Sequence, residues 1–354
     1  MIKSILSKTG STLGSLLLFL AVMTILLEAL TRIIMGAPLK ERLPLSRVKP
    51  DPDIGWVLLP SDEHYTYEHH VKLNTSGFRD TEIHARQPHE YRILALGDSH
   101  IYGQGLGDRE LLTTILEEEL NNTGSTCSFN VINMGVRSYS TNNELALLRK
   151  TGPGLKPDHV ILFFFLNDFI PVNIAQRYSN YSDKDWYTFD FSDKPTDDHV
   201  QKWQLIQLAR SSAFIMWLHD TYRTLASKTN TMNRILQGEA DQHTQEKIDR
   251  TIKALDEIRL LSEEHGIRFT LAVIPASAQI SKSFPNQIYQ PTLREYAGRT
   301  GVEYLDLLPG LRSHHEQHGE TLVIPFDGHY NGQAHRVMAM STVNHLEASD
   351  LCPE

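Results

Sequence analysis

The chain is poor in cysteine and in basic charge. Only Cys127 and Cys352 occur in 354 residues, too few for a disulfide framework and too far apart for a metal-ligand spacing. Both are expected to be chemically inert, and nothing in the sequence supports a bridge between them. The formal net charge is −9, from 34 Lys and Arg against 43 Asp and Glu. A nucleic-acid surface needs clustered basic residues, so that class of partner is excluded. Nucleotide motifs are missing too. Gly103, Gly105 and Gly107 lack the G-x-G-x-x-G order of a dinucleotide turn, and no lysine follows a P-loop-like glycine pair. The nearest thing to a metal motif, His314-His315-Glu316-Gln317-His318, does not fit H-E-x-x-H and reads as a solvated helix face or loop. No cofactor and no metal is implied.

Long apolar runs are confined to the N-terminus and to short interior segments. Residues Leu13 to Leu27 are almost wholly apolar, and Ile33, Ile34 and Met35 extend the run past Glu28, Thr31 and Arg32. A spanning helix needs about 20 apolar residues, so residues 1–36 are expected to form an uncleaved single-pass anchor, in preference to a cleaved signal or an in-plane amphipathic helix, with Glu28 and Arg32 at its far interface. Lys3, Lys8 and the α-amino group favour a cytoplasmic N-terminus, whereas Arg32, Lys40, Arg42, Arg47 and Lys49 oppose it. The remainder of the chain is expected on the periplasmic or extracytoplasmic side.

Residues 37–90 carry prolines, charges and short alternating pieces, and read as a linker and domain-edge arm. From Tyr91 to about 347 the pattern alternates strand and helix. Strands are expected at 91–96, 129–133, 158–165, 268–274 and 302–305. Helices are expected at 109–121 behind Asp108, at 141–151 behind Thr141, and at 199–227, 244–265, 291–299 and 331–347. The run Val160-Ile161-Leu162-Phe163-Phe164-Phe165 is apolar throughout, as in a sheet covered on both faces. The fold class is therefore α/β: a three-layer, doubly wound, flavodoxin-like sheet of five mostly parallel strands behind a transmembrane helix. Residues 169–243 interrupt the alternation and are read as an insertion flanking the site.

Four segments lie at strand ends or before the last helix. They are Gly97-Asp98-Ser99-His100, Asn133-Met134-Gly135-Val136, Leu166-Asn167-Asp168 and Phe326-Asp327-Gly328-His329. In a parallel sheet all carboxyl ends share one edge, so these distant segments converge. Ser99 supplies a hydroxyl for attack on a carbonyl, His329 accepts its proton, and Asp327 orients the imidazole. Oxyanion donors would be the backbone N–H groups of Ser99 and Gly135 and the side-chain amide of Asn167. Asp98 and Asp168 are expected to accept loop N–H groups, His335 to shape a helix start, and His100 to line the pocket or face solvent.

This ordered set resembles the SGNH (GDSL-type) hydrolase family, over about residues 75 to 345. Asn74-Thr75-Ser76-Gly77-Phe78-Arg79-Asp80 and Val131 to Thr141 look like its membrane-anchored bacterial branch. The resemblance implies Ser99 as nucleophile, Gly135 and Asn167 as oxyanion donors, His329 as base and Asp327 as its acid. It departs from the family in one place, since the acid commonly precedes the histidine by three residues and here only Gly328 separates them. The implied activity is ester hydrolysis or O-acyl transfer through an acyl-enzyme, acting on a cell-envelope polysaccharide or lipid ester. A catalytically silent binding or assembly module on the same fold is the alternative.

Overall fold

The computed structural model describes residues 2–175, 187–188, 197–226, 231–282, 284, 288–346 and 351–352. Ten strands are described: β1 Arg47–Asp51, β2 Gly55–Leu58, β3 Glu63–Thr66, β4 His69–Lys72, β5 Glu90–Gly97, β6 Ser128–Asn133, β7 His159–Phe164, β8 Tyr187–Thr188, β9 Arg268–Val273 and β10 Glu303–Asp306. Five of them form the central sheet in the order β10-β9-β7-β5-β6, every pairing parallel. Numbered by appearance within that sheet, the order is 2-1-3-4-5, the flavodoxin-like winding. Its direction reverses between β5 and β7, where such sheets place their ligand crevice. Leu96 pairs with Leu162 and Gly97 with Phe163, so the two strands end level. Ser99 and Asn167 therefore leave the same edge side by side.

Alternation along each strand splits the core into two layers. Leu94, Leu96, Leu162, Phe164, Leu271 and Val273 point into one layer, which includes residues of helices Thr141–Leu155, Gln242–Glu264 and Tyr289–Thr300. Ile93, Ala95, Ile161, Phe163 and Ala272 point into the other, with helices Leu112–Asn121, Leu308–His318 and Gly332–Leu346. Each fully buried Leu, Ile or Phe contributes roughly 1.5–3 kcal/mol. Helix Gln242–Glu264 starts where Asp241 accepts the Thr244 N–H at 2.8 Å. Two caps differ from expectation. Asp108 lies in a short turn of 3-10 helix, Asp108–Glu110, and helix Leu112–Asn121 begins beyond it, with the Leu112 N–H donating to His335 Nδ1 at 3.0 Å. Helix Thr141–Leu155 is preceded by Ser140 in extended conformation, so the cap position is Ser140 and Thr141 is the first helical residue.

The segment 37–90, expected as a linker and domain-edge arm, carries two antiparallel hairpins, β1–β2 and β3–β4. Its Val48, Ile54, Trp56, Leu58, Val71 and Leu73 are buried in the same layer as Leu94 and Leu162. The alternating pieces seen in the sequence are thus core-facing strands. Of the interval 169–243, helices Asp197–Arg210, Ala213–Ala226 and Thr231–Leu236 are described. Residues 176–186, 189–196 and 227–230 of that expected insertion lie outside the described residues.

The cysteines correct the sequence reading. Cys127 and Cys352 form a disulfide between residues 225 apart, with Cα atoms 6.0 Å from each other. Only the fold brings them together. Cys127 precedes β6 and Cys352 follows the last helix, Gly332–Leu346. A cross-link of this kind restricts the unfolded chain and typically stabilises by about 2–4 kcal/mol.

Candidate active site

The short helix Ser99–Tyr102 follows β5 directly and is capped by Asp98, whose Oδ1 accepts the His100 N–H at 2.8 Å. Asp98 Oδ2 accepts from Asn167 Nδ2, also at 2.8 Å. One buried carboxylate thus ties the β5 turn to the β7 turn. Asp168 has the backbone role expected of it, with Oδ2 accepting the Phe165 N–H at 2.8 Å.

Ser99, His329 and Asp327 form one hydrogen-bonded chain. Ser99 Oγ lies 2.8 Å from His329 Nε2, and His329 Nδ1 contacts Asp327 Oδ1. Because an ionised carboxylate only accepts, Nδ1 carries the proton and Nε2 is free to accept from the serine. The sequence around Asp327 explains how a two-residue spacing serves. Gly328 has φ +91° and Phe326 φ +62°, left-handed backbone that folds the carboxylate back over the following residue. Asp327 Oδ1 then also accepts the His329 N–H at 3.2 Å. A β-branched residue at 328 would resist that φ. The Phe326 conformation is itself strained, as ring-bearing residues rarely adopt it.

Asp327 has two further partners that sequence reasoning missed. The Tyr67 hydroxyl and Gln104 Nε2, the latter at 3.3 Å, both donate to Oδ2. Burial alone would raise the Asp327 carboxyl, but the hydrogen bonds from His329 and Tyr67 outweigh it and hold the group well below the usual carboxylate range. Tyr67 comes from the tip between β3 and β4, so the N-terminal arm supplies part of the site. Burial and the adjoining Asp327 carboxylate push the Tyr67 hydroxyl well above its ordinary value, and it remains a donor.

The donors expected for an oxyanion separate into two kinds. Among the described residues no acceptor is bonded to the Ser99 N–H, and one of the two Asn167 amide hydrogens is taken by Asp98. The Gly135 N–H instead donates to Asn133 Oδ1 at 2.9 Å. Gly135 matters sterically: a Cβ there would lie 2.2 Å from the Tyr102 nitrogen and 2.5 Å from the Ile101 carbonyl carbon. Any side chain would push helix Ser99–Tyr102 off its seat.

His100 is buried, with its ring 5.0 Å from that of His329 and 4.2 Å from that of Phe165. Burial pushes it well below the ordinary histidine value, so it is a neutral support under His329. Burial, reinforced by neighbouring carboxylates, likewise pushes Asp168 and Glu144 well above the ordinary carboxyl range. Arg79 is another residue the sequence did not single out. Its buried guanidinium donates to the carbonyls of Tyr102 (3.1 Å), Gly103 (2.7 Å) and Leu106 (2.6 Å) and to Asp108, fixing the turn after the serine helix. His314 and His315 lie on helix Leu308–His318 and bond Glu320, through its side chain and carbonyl at 3.1 and 2.9 Å.

No family profile matches the chain, and no curated protein matches it in sequence. Several solved structures are similar to it in fold. LAE5, described as an alpha/beta hydrolase enzyme from the metagenome of Lake Arreo, superposes at TM-score 0.45 with 14% identity, covering 73% of this chain and 96% of that one. A catalytic mutant of Axe2, an acetylxylan esterase from Geobacillus stearothermophilus, gives TM-score 0.44 and 11% identity, covering 72% of this chain and 94% of that one. A lipolytic protein of the G-D-S-L family from Veillonella parvula gives 0.39 and 12%, covering 72% and 97%.

Proposed function

We propose that the protein is a serine-dependent ester hydrolase or O-acyltransferase that carries its acyl group on Ser99. The observation behind this reading is the continuous Ser99–His329–Asp327 chain in a partly exposed crevice at the switch point of the sheet. Ser99 Oγ attacks the acyl carbonyl while its proton passes to His329 Nε2, and Asp327 stabilises the imidazolium. The Ser99 N–H and Asn167 Nδ2 receive the oxyanion, and Gly135 serves by having no side chain. His329 then returns the proton to the leaving oxygen as the carbon–oxygen bond breaks. Water or an acceptor hydroxyl, deprotonated by His329, takes the acyl group and frees Ser99. Every proton transfer in this cycle runs through His329.

The substrate class in this reading is an acyl or acetyl ester of a cell-envelope polysaccharide or lipid. The apolar helix with 22 residues from Gly14 to Met35 supports a membrane-anchored protein. The Cys127–Cys352 disulfide supports an oxidising compartment outside the cytoplasm. The test is turnover of p-nitrophenyl acetate by the full chain and by Ser99→Ala. Release of nitrophenol is expected from the wild type, with a loss of roughly 10⁴-fold or more in the variant. Equal rates would refute the assignment of Ser99.

A further inference from the structure

Two helices near the anchor turn apolar side chains outward. On Ala213–Ala226, Ile215, Leu218 and Tyr222 stand at i, i+3 and i+7, with Trp217 beside them, and Tyr222 is 72% exposed. On Asp197–Arg210, Leu205 and Leu208 stand at i and i+3 next to Ile206, and Leu208 is 71% exposed. Single exposed apolar residues are ordinary, but stripes at helical spacing on adjoining helices are not.

The anchor helix determines what meets these stripes. Glu28 accepts from Ser212 Oγ at 2.7 Å and from the Ala213 and Phe214 N–H groups at 3.0 Å each. Arg32 donates to the Ser211 carbonyl at 2.7 Å. The start of Ala213–Ala226 is thus bonded to the anchor at Glu28, inside the apolar stretch Gly14–Met35. Glu28 precedes Met35 by seven residues (35 − 28), about 10 Å of helix rise. With that stretch across a bilayer, the junction lies at the depth of interfacial helices, which bury their apolar face about 5–10 Å. Trp217 and Tyr222 are the residue types that favour this zone. Helix Asp197–Arg210 is tethered just beyond the anchor, since Gln207 and Arg210 donate to Glu41 at 2.7 and 3.2 Å.

We propose that these two helices form a platform lying in the membrane interface, with lipid as the occupant of both apolar stripes. The platform stands apart from the chemistry at Ser99, but it has a consequence for access. Ile34 and Met35 of the anchor, with Asp220 and Arg223, line an open cleft of about 520 Å³ against the loop that carries Asp327. That loop is therefore held at headgroup level.

The test uses the full chain at one copy per nanodisc of phosphatidylcholine and phosphatidylglycerol. A nitroxide is placed singly at Leu208→Cys, Leu218→Cys or Tyr222→Cys, and at Glu246→Cys as a water-exposed control on helix Gln242–Glu264; the native cysteines are bridged and do not react. The three platform labels are expected to be open to oxygen and several-fold less accessible than the control to a water-soluble nickel chelate. Chelate access equal to the control would overturn the proposal. So would protection that arises only with two chains per disc and comes with dipolar broadening between them, since the occupant would then be a second copy. Where one variant fails to fold, the other two sites read the same question.

Discussion

Two Asp-x-His pairs grip opposite ends of the same short helix. Asp327 and His329 hold Ser99, its first residue; Asp62 and His64 hold Tyr102, its last. The connectivity is the same in both: carboxylate to Nδ1, Nε2 to a hydroxyl. Their surroundings differ. The His64 and Asp62 side chains are fully buried, whereas those of His329 and Asp327 retain 21% and 10% exposure. Burial pushes His64 below its ordinary value, and Arg47, 2.7 Å from Asp62, supplies the counter-charge. A motif of three residue types therefore does not define a catalytic triad. Access for a substrate, and a hydroxyl at the sheet's carboxyl edge, separate the proposed catalytic triad from the buried one.

The sharpest way to break this comparison is to remove the acid of the exposed triad. Asp327→Asn keeps the shape but favours the wrong imidazole tautomer, and is expected to lower kcat by roughly 10⁴-fold. Ester turnover by the variant checks it, and a loss below tenfold would place Asp327 with Asp62 as a structural group. Next in size is Asn167→Ala. Loss of one oxyanion donor typically costs roughly 10²–10³ in kcat, with KM little changed; equal effects on both would argue against a donor that acts in the transition state.

The buried triad should affect turnover least. Tyr102→Phe is expected to leave kcat within a few-fold while reducing stability by about 1–3 kcal/mol, because His64 Nε2 loses its buried partner. Denaturant unfolding and ester kinetics on the same sample separate the two. Acid has its own signature here. The folded His64 resists a proton that the unfolded chain takes up, so stability falls as pH drops through the ordinary histidine range. His64→Gln should make that fall shallower, and an unchanged slope would show that His64 is not held neutral.

Much of the exposed triad was legible because a parallel sheet aligns the ends of its strands. Apolar runs mark β5 and β7, and whatever follows each run meets at one edge, so the sequence alone places Ser99 and Asn167 together. His329 followed from its position ahead of the last helix. The buried triad had no such signal. His64 sits on a four-residue strand too short for clear periodicity, with Asp62 just ahead of it, and their partner Tyr102 is 38 residues on from His64. Tyr67 and Arg79 were hidden for the same reason: the arm 37–90 gains its structure only by packing on the sheet. The Gly135 N–H is expected free from sequence but is taken, because the asparagine two residues before it turns and bonds it, which composition does not reveal.

The central claim is that one hydroxyl on this helix is a nucleophile and the other is not. Treating the full chain with a fluorophosphonate and mapping the adduct by peptide mass spectrometry tests it most directly. One adduct per chain is predicted, at Ser99, absent from Ser99→Ala, with Tyr102 unmodified. An adduct at Tyr102, or labelling that persists in Ser99→Ala, would contradict the account.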